Sequence, residues 1–382
     1  MLRKNILENQ ALQAHALFFD DVRKDLIRMN DENGRPAGKY IPLPEGVKVL
    51  ENGDVYFSIK APDAKEVYVT GIGGGFPIEK HEMEKDENGW WHVTVSGLDS
   101  GFHYHDYYVD GTRTLNPYAP YGYGCGRIIN FFELPDKYSD FYLLHDVPHG
   151  AVRMNYYNSE ITGKVRNCWV YTPPSYDTDR ERRYPVLYLQ HGAGENETGW
   201  TFQGKINHIV DNLIANGACE ELIIVMNNGY AFPKEIKEAS EGRTTISDVI
   251  ATECVPFIDK KYRTIADRHH RAMAGLSMGG GQTQQTVMKY PEIFGSAGIF
   301  SMFFSLGDKV EAHKDNPEEF NKDFDLLFYG EGEYEPVCEN NTKILRDLSA
   351  KGFKSVHYSV PGYHVWDVWR YCAREFISRL WK

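Results

Sequence analysis

The sequence predicts a chain of the α/β class, with a mostly parallel sheet that has helices on both faces, preceded by a small all-β, immunoglobulin-like sandwich. At 382 residues the chain exceeds the roughly 150 residues of one average domain. After residue 150, near-continuous apolar runs alternate with helical patterns, which indicates a parallel sheet covered on both faces. These runs cover residues 186–189, 222–226, 272–274, 296–300, 326–329 and 356–360. Residues 54–110 instead contain short alternating runs between turn signals such as Asn88-Gly89 and Asp110-Gly111.

The order of these patterns divides the chain into four parts. Residues 5–30 carry apolar positions at helical spacing that end at Asn33-Gly34-Arg35-Pro36, so we expect residues 1–45 to form a helical preface. Residues 46–115 form the predicted sandwich. Residues 116–150 include a stretch rich in Pro and Gly and are predicted to be an ordered linker. Residues 151–382 then form the parallel sheet with its helices.

Charge and composition argue against several kinds of partner. The chain has 42 Lys and Arg against 54 Asp and Glu residues, a formal net charge of −12, and no basic stripe, so binding of nucleic acid or of an anionic membrane is not expected. No window approaches eighteen apolar residues, so no membrane span is expected.

No signal peptide is visible, which predicts a cytoplasmic location, or secretion if a leader has been removed. The six scattered cysteines indicate reduced thiols.

The strongest candidate for chemistry is a serine in a turn flanked by glycines. The segment Gly275-Leu276-Ser277-Met278-Gly279 follows an apolar run and precedes a predicted helix over residues 282–290, which is the order of a nucleophile elbow. A side chain at position 275 or 279 would collide with the crossing backbone. The helix N-terminus supplies N–H groups for an oxyanion. We therefore expect Ser277 to be the nucleophile and the Met278 amide to be one oxyanion donor.

The second oxyanion donor is expected in the loop after another apolar strand. Residues 188–195 read Tyr-Leu-Gln-His-Gly-Ala-Gly-Glu, in which the strand runs into a His-Gly turn. Hydrolases of this architecture place a backbone donor there, where small residues let the substrate approach. We assign this donor to the Ala193 amide. His191 is expected to be a structural hydrogen-bonding residue, because the amides stabilise the oxyanion.

The base is expected last in the chain, since these sheets deliver the triad in the order Ser, acid, His. Beyond residue 340, His357 falls inside a strand pattern, whereas His364 follows the turn at that strand's carboxyl end. Catalytic residues of open α/β sheets emerge at such ends, so His364 is the expected base.

The acid is expected in the loop after the apolar run that ends at residue 329. This loop contains Glu331, Glu333 and Glu335 and no aspartate, so a glutamate must serve if the triad is complete. At least two of the three are expected to be solvated. Asp367 is instead expected in the first turn of the last helix.

These motifs resemble the carbohydrate esterase family 1 enzymes, which include feruloyl esterases, acetyl xylan esterases and the esterase D group. The resemblance implies an α/β-hydrolase fold from about residue 150 to 382. The sandwich is similar to the CBM48-like early-set domain that precedes the catalytic domain in feruloyl esterases of gut bacteria. The resemblance is carried by Tyr171-Thr172-Pro173-Pro174, Tyr184-Pro185-Val186-Leu187-Tyr188, residues 191–195 and 275–280, and His364-Val365-Trp366, and in the sandwich by Gly101-Phe102-His103-Tyr104 and Val109-Asp110-Gly111.

The resemblance also selects one glutamate. The family pattern after the acid-bearing strand is Gly-x-Gly-x-x-Asp, and laid over Gly330-Glu331-Gly332 it puts Glu335 where aspartate is usual. Glu335 is therefore expected to complete the triad, while Glu331 and Glu333 are expected to point to water.

An aromatic wall near the strand ends is the expected substrate pocket. Trp200, Tyr230, Phe303 and Trp366 fall in or near the relevant loops, with Glu195 as a further candidate. No metal site is expected, because the alternating pair His103 and His105 has no evident third ligand.

We expect a serine carboxylesterase that removes feruloyl, other hydroxycinnamoyl or acetyl groups from plant cell-wall carbohydrates or oligosaccharides. No cofactor or metal is needed, and the expected partner is a small-molecule or oligosaccharide ester. The sequence does not fix the oligomeric state and is compatible with a homodimer. Two alternatives stay open: an enterochelin-esterase-like hydrolase of siderophore esters, and a carbohydrate-binding protein with an inactive hydrolase domain. The complete set of Ser and His argues against the second.

Overall fold

A computed structural model describes residues 26–42, 45–134, 138–235 and 245–382 of the chain. The chain divides into two compact units, and the division falls between Leu144 and His145. The N-terminal unit is all-β and the C-terminal unit is an α/β unit. Both parts of the predicted fold class are confirmed.

The predicted helical preface is wrong where the structure describes it. Strands β1 (Leu26–Asn30) and β2 (Pro36–Pro42) form an antiparallel hairpin. The turn between them is closed by Asp31, whose side chain accepts hydrogen bonds from the N–H groups of Asn33 and Arg35. The turn residues that were expected to end a helix therefore connect two strands. Residues 1–25, the rest of the predicted preface, lie outside the described residues.

Two antiparallel sheets make up the sandwich. Their strands are β3 (Val47–Val49), β4 (Val55–Lys60), β5 (Val67–Gly71), β6 (His81–Glu82), β7 (Glu84–Lys85), β8 (Trp90–Val95), β9 (Gly101–Val109), β10 (Thr112–Thr114), β11 (Tyr121–Gly124) and β12 (Arg127–Leu134). One sheet has the order β3-β4-β8-β7; the other has the order β11-β12-β9-β5-β6, with β10 paired to β9. Phe57, Phe76 and Phe132 meet in the core, with ring centroids 5.4 to 5.8 Å apart.

The predicted linker over residues 116–150 is wrong for its first half. Strands β11 and β12 lie in this range, and β12 pairs with β9 in the larger sheet of the sandwich. Buried amides fasten the segment: Asn116 Nδ2 donates to Ser58 O, and Asn130 Nδ2 donates to Asn116 O. The Pro and Gly residues here make tight connections inside a domain rather than a link between domains.

His105 is a polar residue enclosed in the sandwich core. Its ring lies 5.2 to 5.6 Å from the rings of Phe57, Tyr107 and Phe132, and among the described residues neither ring nitrogen has a hydrogen-bond partner. Burial, and after it the neighbouring His103, lower the pKa of His105 to about 3. His105 is therefore neutral and packs as an aromatic ring.

We predict that the sandwich loses stability as the pH falls below 6.5. The unfolded chain protonates His105 with its ordinary pKa of 6.5, whereas the folded chain does so only near 3. The free energy of unfolding should therefore fall by about 1.4 kcal/mol per pH unit across that interval. Urea unfolding of the wild type and of His105→Phe at pH 7 and pH 5 measures this difference, and the variant should lose less stability on acidification. A matched control is His92→Phe, at a partly exposed site. Equal acid sensitivity of wild type and His105→Phe would contradict the prediction.

The C-terminal unit is built on an eight-stranded sheet with the order β13-β14-β16-β15-β17-β18-β19-β20. The strands are β13 (Ala151–Ser159), β14 (Lys164–Thr172), β15 (Val186–Gln190), β16 (Ile223–Asn227), β17 (Arg271–Leu276), β18 (Ser296–Phe300), β19 (Leu326–Gly332) and β20 (Val356–Val360). The last six are parallel, whereas β13 and β14 are antiparallel at one edge. The carboxyl ends of the parallel strands therefore meet at one edge of the sheet.

Helices cover both faces of this sheet. They are α1 (Gly199–Phe202), α2 (Ile206–Ala215), α3 (Ile246–Asp248), α4 (Val255–Lys261), α5 (Met278–Lys289), α6 (Gly307–Ala312), α7 (Pro317–Lys322), α8 (Pro336–Ala350) and α9 (Trp366–Ile377), with a π-helical segment, Val249–Cys254, between α3 and α4. Neighbouring strand residues point to opposite faces. Phe300 packs against Phe376 of α9, whereas Ile299 joins Val287 of α5 in the core of the other face. No helix in the described ranges combines the length and the apolar character needed to cross a bilayer.

Candidate active site

Ser277 occupies a strained turn between β17 and α5. Its φ of 51° and ψ of −118° lie in a region that residues with a side chain rarely adopt. Its N–H donates to Phe300 O at the end of β18, which fixes the turn to the next strand. A Cβ on Gly275 would lie 2.5 Å from the backbone of Gly279, and a Cβ on Gly279 would lie 2.6 Å from His191 O. The backbone segments around the turn therefore approach each other too closely for a side chain at Gly275 or Gly279, as the sequence predicted.

The loop after β15 lies beside Ser277. A Cβ on Gly192 would be 3.5 Å from the Cβ of Ser277, so Ala193 begins next to the serine. Met278 is the first residue of α5, and its N–H points out of the helix end without an intrahelical partner. The two amides predicted to hold the oxyanion, those of Met278 and Ala193, therefore belong to segments that adjoin Ser277.

His191 fastens this loop to the chain after β16. The N–H of Gly229 donates to His191 Nε2 at 2.8 Å, so the ring proton is on Nδ1, which lies 2.8 Å from Gly192 O and donates to it. Burial lowers the pKa of His191, which keeps the ring neutral. The structure thus places His191 in the structural role expected from the sequence.

Two histidine–glutamate pairs lie side by side on β19, β20 and the loops that follow them. His364 Nδ1 donates to Glu335 Oε2 at 2.6 Å, and His357 Nε2 donates to Glu331 Oε1 at 2.7 Å. The first pair leaves Nε2 of His364 for a substrate, and 48% of this side chain is exposed. The second pair engages Nε2 of His357, whose ring is mostly buried. Of the two pairs, His364 with Glu335 has the geometry of a catalytic base and its acid.

The prediction that Glu331 points to water is wrong. Its side chain is fully buried, and its second oxygen receives Asn341 Nδ2 at 3.4 Å. Burial raises the pKa of Glu331, while the hydrogen bond from His357 acts in the opposite direction. The reason for the error is that β19 extends to Gly332, so position 331 is inside the strand rather than in the loop. Of the three glutamates only Glu333 is exposed, so the expectation that at least two would be solvated is also wrong.

Cys338 approaches the buried pair. Ligand atoms of Glu331, Cys338 and His357 lie within 4.8 Å of one another, and these are residue types that bind zinc. The hydrogen bonds from His357 and Asn341 already satisfy both carboxylate oxygens of Glu331. Burial and then the charge of Glu331 raise the pKa of the Cys338 thiol, which favours its protonated form. These contacts account for the cluster as a hydrogen-bonded histidine–glutamate pair beside a protonated thiol.

Glu335 is oriented by three hydrogen bonds. Its Oε1 accepts from Ser301 Oγ at 2.7 Å and from the N–H of Gly332 at 2.8 Å, while Oε2 accepts from His364. Trp369 Nε1 in turn donates to Ser301 Oγ at 2.9 Å, and its ring lies edge-on to His364 with centroids 5.1 Å apart. The carboxylate is buried and therefore held in position for the imidazole before a substrate arrives.

Sequence reasoning missed Ser301 and Trp369. Ser301 directly follows β18, and the rule that selected His364, a polar residue at the carboxyl end of a parallel strand, also points to it. Its φ of 50° marks a second strained position beside Ser277. Trp369 lies within α9, and its role could not be predicted from the sequence, because an aromatic residue on an amphipathic helix resembles any core residue.

The five residues predicted to contact substrate divide into two groups. Trp200 and Trp366 are buried against each other, with ring centroids 5.4 Å apart, so their assignment to the pocket wall is wrong. Glu195 is also buried and receives Gln203 Nε2 at 3.4 Å. Tyr230 is 40% exposed and Phe303 is 49% exposed, so these two remain available to a substrate. Tyr230 also accepts a hydrogen bond from the N–H of Gly194 in the oxyanion loop.

The fold defines a class of protein, the α/β hydrolases. Residues 159–326 match the Esterase family, and residues 44–119 match carbohydrate-binding module 48, the isoamylase N-terminal domain. The chain therefore carries, within its C-terminal unit, a segment that matches the Esterase family and, ahead of it, one that matches carbohydrate-binding module 48. The resemblance predicted from the motifs is confirmed.

Relatives share parts or most of this architecture. An endo-1,4-beta-xylanase/feruloyl esterase of Xylanibacter ruminicola is 36% identical over 96% of this chain, which spans only 52% of that protein. A CE1 ferulic acid esterase of Anaeromyces mucronatus has 20% identity and a TM-score of 0.52, covering 64% of this chain and 95% of its own. The enterobactin esterase of Shigella flexneri has 14% identity and a TM-score of 0.63, covering 88% of this chain and 97% of its own. At 20% and 14% identity, these two structures show similarity of fold only.

We predict that Glu335→Gln lowers kcat by about 10⁴, because the amide supports neither the imidazolium charge nor the correct tautomer of His364. Glu333→Gln is the matched control, since this exposed carboxylate lies in the same loop, and it should stay within about threefold of the wild type. Hydrolysis of 4-nitrophenyl acetate measures both variants. If Glu331→Gln were inactive and Glu335→Gln active, the catalytic pair would be His357 with Glu331.

Ser301→Ala is expected to lower kcat by about 10- to 100-fold, the effect of losing one hydrogen bond to a charged group. The loss is smaller than for Glu335→Gln because Gly332 and His364 still hold the carboxylate. KM should stay within about twofold, since Ser301 is buried and acts through Glu335. Ser305→Ala, at an exposed position in the same segment, is the control. A wild-type kcat in Ser301→Ala would remove Ser301 from the site.

Proposed function

We propose that this chain is a serine carboxylesterase that releases feruloyl or related hydroxycinnamoyl groups from plant cell-wall carbohydrates, with acetyl groups as a smaller alternative. The observation that carries the proposal is the 2.6 Å pair of His364 and Glu335 at the sheet edge that also holds the strained elbow of Ser277. The name of the Xylanibacter relative, which is similar over almost the whole of this chain, includes feruloyl esterase.

The first half of the reaction acylates the enzyme. Ser277 Oγ attacks the ester carbonyl carbon while His364 Nε2 takes the hydroxyl proton. The new Oγ–C bond moves an electron pair onto the carbonyl oxygen, where the N–H groups of Met278 and Ala193 stabilise the negative charge. When this intermediate collapses, the bond to the alcohol oxygen breaks and His364 donates its proton to that oxygen. Glu335 supports the imidazolium through its hydrogen bond with Nδ1 throughout.

The second half releases the acid. A water molecule attacks the acyl carbon, His364 takes its proton, and the Oγ–C bond breaks as His364 returns the proton to Ser277. All atoms of this cycle come from the ester, water and the three side chains, so the proposed chemistry uses no further group.

An exposed aromatic side chain supports an aromatic acyl group. Tyr230 is 40% exposed and lies against the oxyanion loop through its bond to Gly194. A planar hydroxycinnamoyl group gains contact area from such a ring, whereas an acetyl group is too small to use it.

Hydrolysis of a siderophore ester is the second candidate, because the enterobactin esterase likeness covers 88% of this chain. The charge of the chain argues against it. A ferric catecholate siderophore is anionic, and a formal net charge of −12 repels such a substrate. The remaining alternative, a carbohydrate-binding protein with an inactive hydrolase domain, is opposed by the complete set of Ser277, His364 and Glu335.

A substrate panel combined with Ser277→Ala tests the proposal. The purified wild-type chain should hydrolyse methyl ferulate with a higher kcat/KM than acetylated xylo-oligosaccharide or enterobactin. Ser277→Ala should lower kcat by about 10⁶ without a change in circular dichroism, because the hydroxyl leaves no core cavity. Ser305→Ala serves as the control. Preference for enterobactin, or a tenth of wild-type turnover in Ser277→Ala, would reject the proposal.

A further inference from the structure

Two exposed tyrosines immediately precede the acid and the base of the candidate triad. Tyr334 precedes Glu335 and Tyr363 precedes His364, and their side chains are 58% and 39% exposed. Their ring centroids are 5.1 Å apart with an angle of 57° between the planes. The N–H of Tyr334 donates to Gly362 O at 3.0 Å, which ties the two turns together. The tyrosine pair is therefore built into the turns that position His364.

Both rings are more exposed to solvent than is usual for aromatic side chains that only pack against their neighbours. Large aromatic side chains that remain together in water often mark a binding surface. Within the described residues neither phenol hydroxyl makes a hydrogen bond to another protein group, so both hydroxyls face solvent or a ligand. The pair thus offers two ring faces and two hydroxyl groups beside the catalytic base.

The order of the strands decides which half of an ester the pair can meet. Ser277 follows β17, Ala193 and Tyr230 follow β15 and β16 on one side of it, and Tyr334 and Tyr363 follow β19 and β20 on the other side. The oxyanion loop and the tyrosine pair therefore flank the nucleophile from opposite directions.

The chemistry of the leaving group points to the same side. His364 must pass a proton to the alcohol oxygen, so that oxygen has to lie roughly 2.6–3.2 Å from Nε2. The alcohol half of the ester then extends past His364, toward the turns that carry Tyr334 and Tyr363. In the proposed substrate this alcohol is a sugar.

We propose that Tyr334 and Tyr363 form a binding site for the sugar that carries the ester. This inference rests on the proposed esterase function. Sugar rings have apolar C–H faces that pack on aromatic rings, and phenol hydroxyls bond to sugar hydroxyls. A methyl ester has no ring to place there, so the site raises the rate for carbohydrate esters selectively.

The test is the ratio of kcat/KM for a feruloylated arabinoxylo-oligosaccharide to kcat/KM for methyl ferulate, measured on the purified chain. Tyr334→Ala and Tyr363→Ala should each lower this ratio by about tenfold, the size expected for the loss of one aromatic contact. Tyr334→Phe and Tyr363→Phe keep the ring and should lower the ratio by no more than about threefold. Tyr156→Ala is the matched control, because Tyr156 is 60% exposed on β13 at the far edge of the sheet, and the ratio should not change.

A ratio is used because it separates binding of the sugar from damage to His364. Equal losses on both substrates would mean that the tyrosines only support the histidine, and an unchanged ratio would mean that no sugar contacts them; either result overturns the inference while the esterase function stands. If the wild-type chain hydrolyses neither ester, the proposed function fails and the sugar site fails with it.

Discussion

The hydrogen bond between Glu335 and His364 is the contact on which the rest of the site depends. A carboxylate that is almost fully buried is costly unless its oxygens are paired, and Glu335 finds partners on Ser301, Gly332 and His364. Each of these partners lies at or just after the carboxyl end of a different parallel strand. The buried carboxylate therefore requires β18, β19 and β20 to keep their register, and in return it fixes the orientation of the His364 imidazole.

Backbone strain and close packing at the carboxyl ends of β17 and β18 also hold the site in place. Ser277 and Ser301 both have positive φ values near 50°, at the ends of neighbouring strands, and the N–H of Ser277 donates to the carbonyl of the residue before Ser301. Such conformations persist only where the surroundings determine them. Here the glycines of the elbow admit the crossing backbone on one side, and Trp369 of α9 holds Ser301 on the other.

The sequence was most informative where backbone geometry imposes a residue type. The glycines around Ser277, the chain order that selects His364 and the small residues next to Ala193 each follow from a steric or topological requirement, and the structure places these residues as expected. Glu335 could not be chosen from the residues alone, because Glu331 differs from it only by the point at which β19 ends. The strand continues for three residues beyond its apolar run, and for this reason a glutamate that was predicted to face solvent is buried.

Tertiary burial was harder to predict than motif position. Trp200 and Trp366 fall near the right loops, but only the packing of α1 against α9 shows that they face each other rather than a substrate. The segment over residues 116–134 has a composition typical of a linker, and only the pairing of β12 with β9 identifies it as part of the sandwich. In both cases the deciding interaction joins residues that are far apart in the sequence.

The measurement that tests this account most directly is a crystal structure of the protein after reaction with an aryl phosphonate. The account predicts a covalent bond from phosphorus to Ser277 Oγ, a phosphoryl oxygen roughly 2.7–3.1 Å from the N–H groups of Met278 and Ala193, and His364 still bonded through Nδ1 to Glu335. A phosphonate on another residue, or an adduct in which His364 has turned away from Glu335 to a different acid, would contradict it.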